Sequence, residues 1–165
     1  MKIALLSDTH SFLDPACLKY CENADEIFHA GDIGDVALIE QLQKIKTTKA
    51  VYGNIDNNTV RLLCPRYLLC EIEGVKILMI HIAGAFGSYN PETRGLLMRF
   101  KPQILICGHS HILKVAFDQR FNCLYVNPGA AGNHGFHPVK TMITFQVKNG
   151  KPSEMDVIEL GRRGA

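Results

Sequence analysis

Apolar residues run along the chain in short blocks separated by stretches of helical period. Lys2–Ser7 is apolar on both faces, as a strand in the middle of a sheet must be. Pro15–Asn23 reads as a helix with Asp14 as N-cap and Pro15 at its first position. Glu26–His29 gives a second strand, Val36–Lys46 a helix with Val36, Ile39 and Leu42 on its apolar face, and Ala50–Tyr52 a third strand. This β-α-β-α-β order predicts parallel strands joined by right-handed crossovers. The second half changes character. Hairpins are predicted for Arg66–Glu71 with Val75–Ile80 about Glu73-Gly74, for Lys114–Asp118 with Cys123–Val126, and for Thr141–Val147 with Glu154–Glu159 about Asn149-Gly150. Between them lie a helix, Pro91–Phe100, and a buried strand, Gln103–Cys107. The pattern predicts two sheets covered by helices, the first half more parallel and the second more antiparallel. No repeat or linker divides the chain, so 1–165 reads as a single domain.

Composition narrows the class. With 47% apolar and 21% charged residues, the chain is neither disordered, collagen-like nor a coiled coil. A formal charge of +2 gives no electrostatic case for a nucleic-acid or membrane-surface partner. No stretch approaches the roughly 18 apolar residues of a membrane span. The apolar run Ile3–Leu6 meets Asp8 and His10 at once, so it reads as a buried strand and not as a leader. Six cysteines without a CxxC pair read as reduced thiols, which favours the cytoplasm.

Nearly every predicted strand ends in a residue able to bind metal. The ends are Ser7-Asp8-Thr9-His10, His29-Ala30-Gly31-Asp32, Gly53-Asn54-Ile55-Asp56, His81, and Gly108-His109-Ser110-His111. Ligands of open α/β sheets bind at the carboxyl ends of strands, where these residues would converge. Imidazole nitrogens and carboxylate oxygens suit Mn, Fe and Zn. Asp8, His10, Asp32, Asn54, His81, His109 and His111 are too many ligands for one tetrahedral ion and fit two ions sharing a carboxylate. D-x-H and H-x-H spacing would put both side chains on one side of an extended segment. The glycines before Asp32, Asn54 and His109 suit sharp turns.

The ordered blocks DxH, GD, GNxD, H and GHxH resemble the calcineurin-like metallophosphoesterases, and Asn127-Pro128-Gly129 resembles their short bacterial and archaeal phosphodiesterase branch. The resemblance runs from Lys2 to about Gly132. It implies a four-layer α/β/β/α sandwich of two mixed sheets and a dinuclear centre of divalent transition metals, Mn first, with Fe, Zn or Ni as alternatives. It assigns Asp8, His10 and His111 to one metal, Asn54, His81 and His109 to the other, and Asp32 to both. A water or hydroxide between the metals would then attack phosphorus in line, with no protein nucleophile. The implied partner is a small phosphate ester, most simply a diester.

Two positions depart from the pattern. Many relatives carry His directly after the metal-binding Asn, as proton donor to the leaving group, and here Ile55 stands there. The short branch usually continues His-Gly-His, and here the run is His81-Ile82-Ala83. Asp56 reads as the cap of a following helix and, in that branch, as a support for the ligands. His29 reads as a buried strand residue, and His134 and His137 as exposed loop residues that can border a cleft. Two rival readings are a phosphomonoesterase and a partner-binding scaffold like the retromer subunit of this fold. That relative has lost several of the ligands kept here.

Overall fold

The structure, a computed structural model, describes residues 1–164. One sheet has the order β12-β11-β1-β2-β3. It contains β1 (Lys2–Leu6), β2 (Glu26–His29), β3 (Thr48–Ala50), β11 (Val139–Lys148) and β12 (Lys151–Arg162). The other has the order β4-β5-β8-β10-β9, with β4 (Tyr67–Ile72), β5 (Val75–Ile80), β8 (Ile104–Ile106), β9 (Lys114–Asp118) and β10 (Cys123–Asn127). A two-stranded ribbon, β6 (Gly84–Ala85) with β7 (Ser88–Tyr89), stands apart.

Alternation along β1 explains the layering. Ala4 and Leu6 pack with Cys17 and Cys21 of α1 (Pro15–Glu22), Leu38, Ile39 and Leu42 of α2 (Val36–Ile45), and Val60 of α3 (Asn58–Leu63). Ile3 and Leu5 face the other way and meet Ile77, Met79, Ile104, Ile106 and Val126 of the second sheet. The far face of that sheet, through Leu78, Leu105 and Tyr125, buries Leu96 and Leu97 of α4 (Pro91–Phe100). Four layers result, helices outside and two mixed sheets between. Asp14 and Pro15 start α1 as expected, the Asp14 carboxylate accepting from Ala16 N–H.

Several expectations need correction. The third strand is Thr48–Ala50, three residues that end before Tyr52. The helix expected after Asp56 is α3, Asn58–Leu63, whereas the β6–β7 ribbon is too short for periodicity to reveal. The sheets also do not divide by halves of the chain. The C-terminal hairpin β11–β12 joins the first sheet beside β1, while β5, β8 and β10 pair in parallel in the second. Among the described residues, no helix is long and apolar enough to cross a membrane. The six cysteines are free, and Cys17 and Cys21 sit in the core with thiols pushed up to about 12 by burial.

Candidate metal centre

The ends of β1, β2, β5 and β8 and the loop after β3 meet at one edge of the sandwich. Backbone bonds tie them together: Asp8 N–H donates to Gly31 C=O, His10 N–H to Asp32 C=O, and Gly108 N–H to His81 C=O. Two clusters of donors form there, Asp8 with His10 and His111, and Asp32 with His81 and His109. Asp32 faces both clusters. Its Oδ1 lies 3.2 Å from His81 Nε2 and its Oδ2 lies 3.8 Å from His10 Nε2. Asn54 Oδ1 completes the second cluster, 2.8 Å from His109 Nδ1 and 3.2 Å from His81 Nε2. All seven residues singled out in the sequence are thus brought together.

They converge by a different route from the one the spacing suggests. Asp8, His10, Asp32, His109 and His111 all have left-handed backbones, with φ of 54°, 48°, 53°, 67° and 58°. The D-x-H and H-x-H segments are therefore coiled, not extended. Left-handed backbone costs a non-glycine residue of order 1–3 kcal/mol, and such strain collects at functional sites. Gly31, with φ of 97°, serves a left-handed turn as expected, but Gly53 serves differently. Gly53 lacks a left-handed φ. A Cβ there would lie 2.0 Å from Asp32 Oδ1, so it must be glycine to let the loop close on the carboxylate.

The donor set fits divalent metal. His81 Nδ1 donates to Ala30 C=O at 2.8 Å, which turns its Nε2 toward the Asp32 and Asn54 oxygens. A lone pair facing two acceptors needs positive charge between them, from a cation or from a proton on the ring. Burial alone would push the His81 pKa down. The hydrogen bond to Asp32 and the charges of Asp8 and Asp32 more than offset it, so the pKa is raised. Burial likewise opposes ionisation of Asp32, and His81 holds its pKa below the usual carboxylate range. In the first cluster His10 Nε2 is buried with no hydrogen-bond partner among the described residues. Burial depresses the pKa of His10, and of His109, where the charge of His81 adds to it, which keeps both rings available as neutral donors.

Supporting residues hold this geometry. Asp56 is buried, and its carboxylate accepts from Gly53 N–H and Gly34 N–H at 2.7 Å and from Ile33 N–H at 3.2 Å. It thereby ties the Asp32 loop to the Asn54 loop. It does not cap α3, whose N-cap is Asn57. Asn127 Nδ2 donates to Gly108 C=O at 2.8 Å and to Ser110 Oγ at 3.1 Å, pinning the turn that presents His109 and His111. Arg61 donates to the carbonyls of Asp56 and Asn54. His29 stays outside the cluster: fully buried, it accepts from Gly31 N–H at Nδ1 and pairs with Thr9 Oγ1 at Nε2. His134 does border the site, its ring centroid 5.4 Å from that of His10. Arg163 gave no sequence signal. Its guanidinium donates to the carbonyls of Gly132, His134, His137 and Ala130, which holds that loop in place.

Two clefts flank the cluster and meet at Ile82. One carries charged groups among apolar ones, lined by Tyr52, Arg61, Arg66, Ile80, His81 and Glu92. The other is roomier and apolar, lined by Phe86, His109, Ile112, Lys114 and Tyr125.

A model of the calcineurin-like phosphoesterase superfamily domain matches residues 1–150. A probable metallophosphoesterase of Methanocaldococcus jannaschii is 31% identical over 136 residues, which are 79% of this chain and 68% of that protein. Among solved structures, an archaeal phosphodiesterase superposes with a TM-score of 0.75 at 20% identity, over 96% of this chain and 100% of that one. Vps29 of Entamoeba histolytica in complex with Zn²⁺ superposes with a TM-score of 0.72 at 17% identity, over 98% and 100% of the two chains. At such identities the solved structures bear on the fold alone.

Proposed function

Since the chain belongs to the calcineurin-like phosphoesterase superfamily, we propose that its two clusters hold two divalent transition-metal ions and that it hydrolyses phosphodiesters. The observation that carries this reading is Asp32, whose two oxygens are turned toward two separate groups of donors. Asp8, His10 and His111 would hold one ion, and Asn54, His81 and His109 the other. Bound there, the ions would supply Lewis acidity, lowering the pKa of a shared water and neutralising phosphate oxygens. Mn²⁺ is the first choice, and Fe, Zn or Ni suit the same N and O donors.

The chain's own residues set the geometry. Ala30 C=O fixes the His81 tautomer, Asp56 locks the loop carrying Asn54 to the loop carrying Asp32, and Asn127 fixes the turn of His109 and His111. The side chain after the ligand Asn54 is Ile55, half-exposed and without a proton to give. Leaving groups must then depart with little help from the protein, which favours good ones. Two clefts that border the donors Asn54, His81 and His109 and meet at Ile82 suit the two arms of a diester better than the single arm of a monoester.

The test is hydrolysis of bis-p-nitrophenyl phosphate by chelator-stripped protein, with and without added Mn²⁺, beside Asp32→Asn. The expected result is activity restored by metal in the wild type only, and faster on this diester than on p-nitrophenyl phosphate. Metal binding without hydrolysis of either ester would overturn the reading.

A further inference from the structure

The apolar cleft beside His109 is unusual in its placement. A phosphate site needs cations and amide donors. Yet the wall next to this ligand carries Ile82, 39% exposed, Ile112, 51% exposed, and the rings of Phe86 and Tyr125. Phe86 and Tyr125 meet edge to face with centroids 5.6 Å apart, which gives this slot an aromatic corner. Lys114 lies over the Phe86 ring at 5.1 Å from its centroid, so a cation stands at the edge of the slot. The sequence contributes directly. Ile82, directly after His81, adds a branched apolar side chain to this wall. On the other side of Ile82, the cleft carries Arg61, Arg66 and Glu92, with Arg66 and Glu92 joined by paired 2.7 Å hydrogen bonds. A ring-bearing group finds more room and more apolar wall on the Phe86 side, since on the Arg61 side the one ring, Tyr52, is already covered by Arg61 at 4.9 Å from its centroid.

We propose that the slot of Ile82, Phe86, Ile112 and Tyr125 is a specificity site that seats an apolar, ring-sized group on one arm of the phosphoester substrate. The proposal rests on the phosphoesterase reading of the adjoining cluster, because the phosphorus must lie near His109 for the arm to reach the slot. The other arm, polar, would point to the Arg61 cleft. Exposed isoleucines beside a metal-capable histidine then have a purpose: they are covered when substrate binds.

Binding separates this idea from catalysis. Phenylphosphonate and methylphosphonate are titrated into Zn²⁺-loaded protein while the isoleucine methyl groups are followed by NMR. Burial of a phenyl ring should make phenylphosphonate bind about tenfold or more tighter than methylphosphonate. The Ile82 and Ile112 methyls should shift with the phenyl probe only. Ile112→Ser, at a half-exposed position that the fold tolerates, should weaken phenylphosphonate by about threefold and leave methylphosphonate unchanged. Equal affinities, or shifts confined to residues around Arg61, would overturn the proposal even if bis-p-nitrophenyl phosphate is hydrolysed. A phenyl preference in a protein that hydrolyses no phosphate ester would instead sink the phosphoesterase reading, and the substrate role of the slot with it.

Discussion

Asp32 and Ile55 are neighbours through one hydrogen bond, Ile55 N–H to Asp32 Oδ1 at 3.0 Å. One shapes the donor cluster, and on the proposed function the other sets which leaving groups can depart. Ile55 is 46% exposed, so replacing its side chain should not disturb the core. Ile55→His should raise the rate on esters with poor leaving groups, such as phenyl or alkyl esters, by about tenfold or more, within the usual worth of general acid catalysis. The rate on nitrophenyl esters, whose leaving group needs no proton, should change little. Steady-state kinetics on both classes checks this. His29 gives a second prediction at this scale. Burial holds its pKa at about 4, below the ordinary 6.5, and its Nδ1 is committed as acceptor to Gly31 N–H. The unfolded chain therefore takes up this proton first. The contribution of His29 is fully present above about pH 6.5 and is lost as pH falls from there toward 4, in total about 3 kcal/mol. Urea unfolding of metal-free protein at pH 7, 5.5 and 4.5 should show this decline, and His29→Gln should flatten it.

The elements that carry the site are short and end abruptly, and the loops beyond them are fastened to one another more than to their own strands. Asp56 belongs to the loop after β3, yet two of its hydrogen bonds go to Ile33 and Gly34 in the loop after β2. Gly53 is a point of close approach between those loops. Gly53→Ala would drive a methyl group into the Asp32 carboxylate and force the loops apart. The expected outcome is a loss of metal affinity of about tenfold or more with the sandwich intact, because a ligand-supporting contact is broken outside the main core. Calorimetric metal titration beside a thermal melt separates the two effects. Prediction of elements succeeds or fails here for clear reasons. Pro91–Phe100 and Lys114–Asp118 have the bounds that their pattern indicates, because a proline start or a flanking turn marks each end. The Asn149-Gly150 turn is correctly placed, with left-handed φ of 54° and 72°, but its strands run longer than the sequence suggests. Lys151, Pro152 and Ser153 show no apolar alternation, yet they pair with Lys148, Val147 and Gln146 of β11.

At the scale of the molecule, the core between the sheets fixes how far apart the loop ends lie. Phe28, Phe145, Ile77 and Met79 are fully buried there. Metal then acts as a ligand of the folded state, because the donors come from strands of both sheets and are gathered only on folding. At a hundred times Kd, one bound ion should add about 2.7 kcal/mol of stability. A melt of chelator-stripped protein should move upward as Mn²⁺ or Zn²⁺ is added, and the shift should be much reduced in Asp32→Asn, which weakens both clusters at once.

Residue types and spacing are enough to single out the candidate donors and their order. Asp8, His10, Asp32, Asn54, His81, His109 and His111 all stand at or just past strand ends, because the carboxyl edge of a sheet leaves loops free to carry polar groups. The starts of α1 and α4 are legible as well, because a proline in the first turn acts locally. Tertiary structure alone decided the rest. That β11 and β12 lie beside β1, and that β5, β8 and β10 run parallel, follows from burying both faces of each sheet, which no local pattern records. The left-handed turns at five of the seven donors are imposed by loops held from several sides. The bracing by Asp56, Asn127 and Arg163 depends on backbone groups distant in sequence, and backbone groups carry no residue code. The apolar slot at Phe86 is likewise visible only once the ribbon β6–β7 is folded against Tyr125.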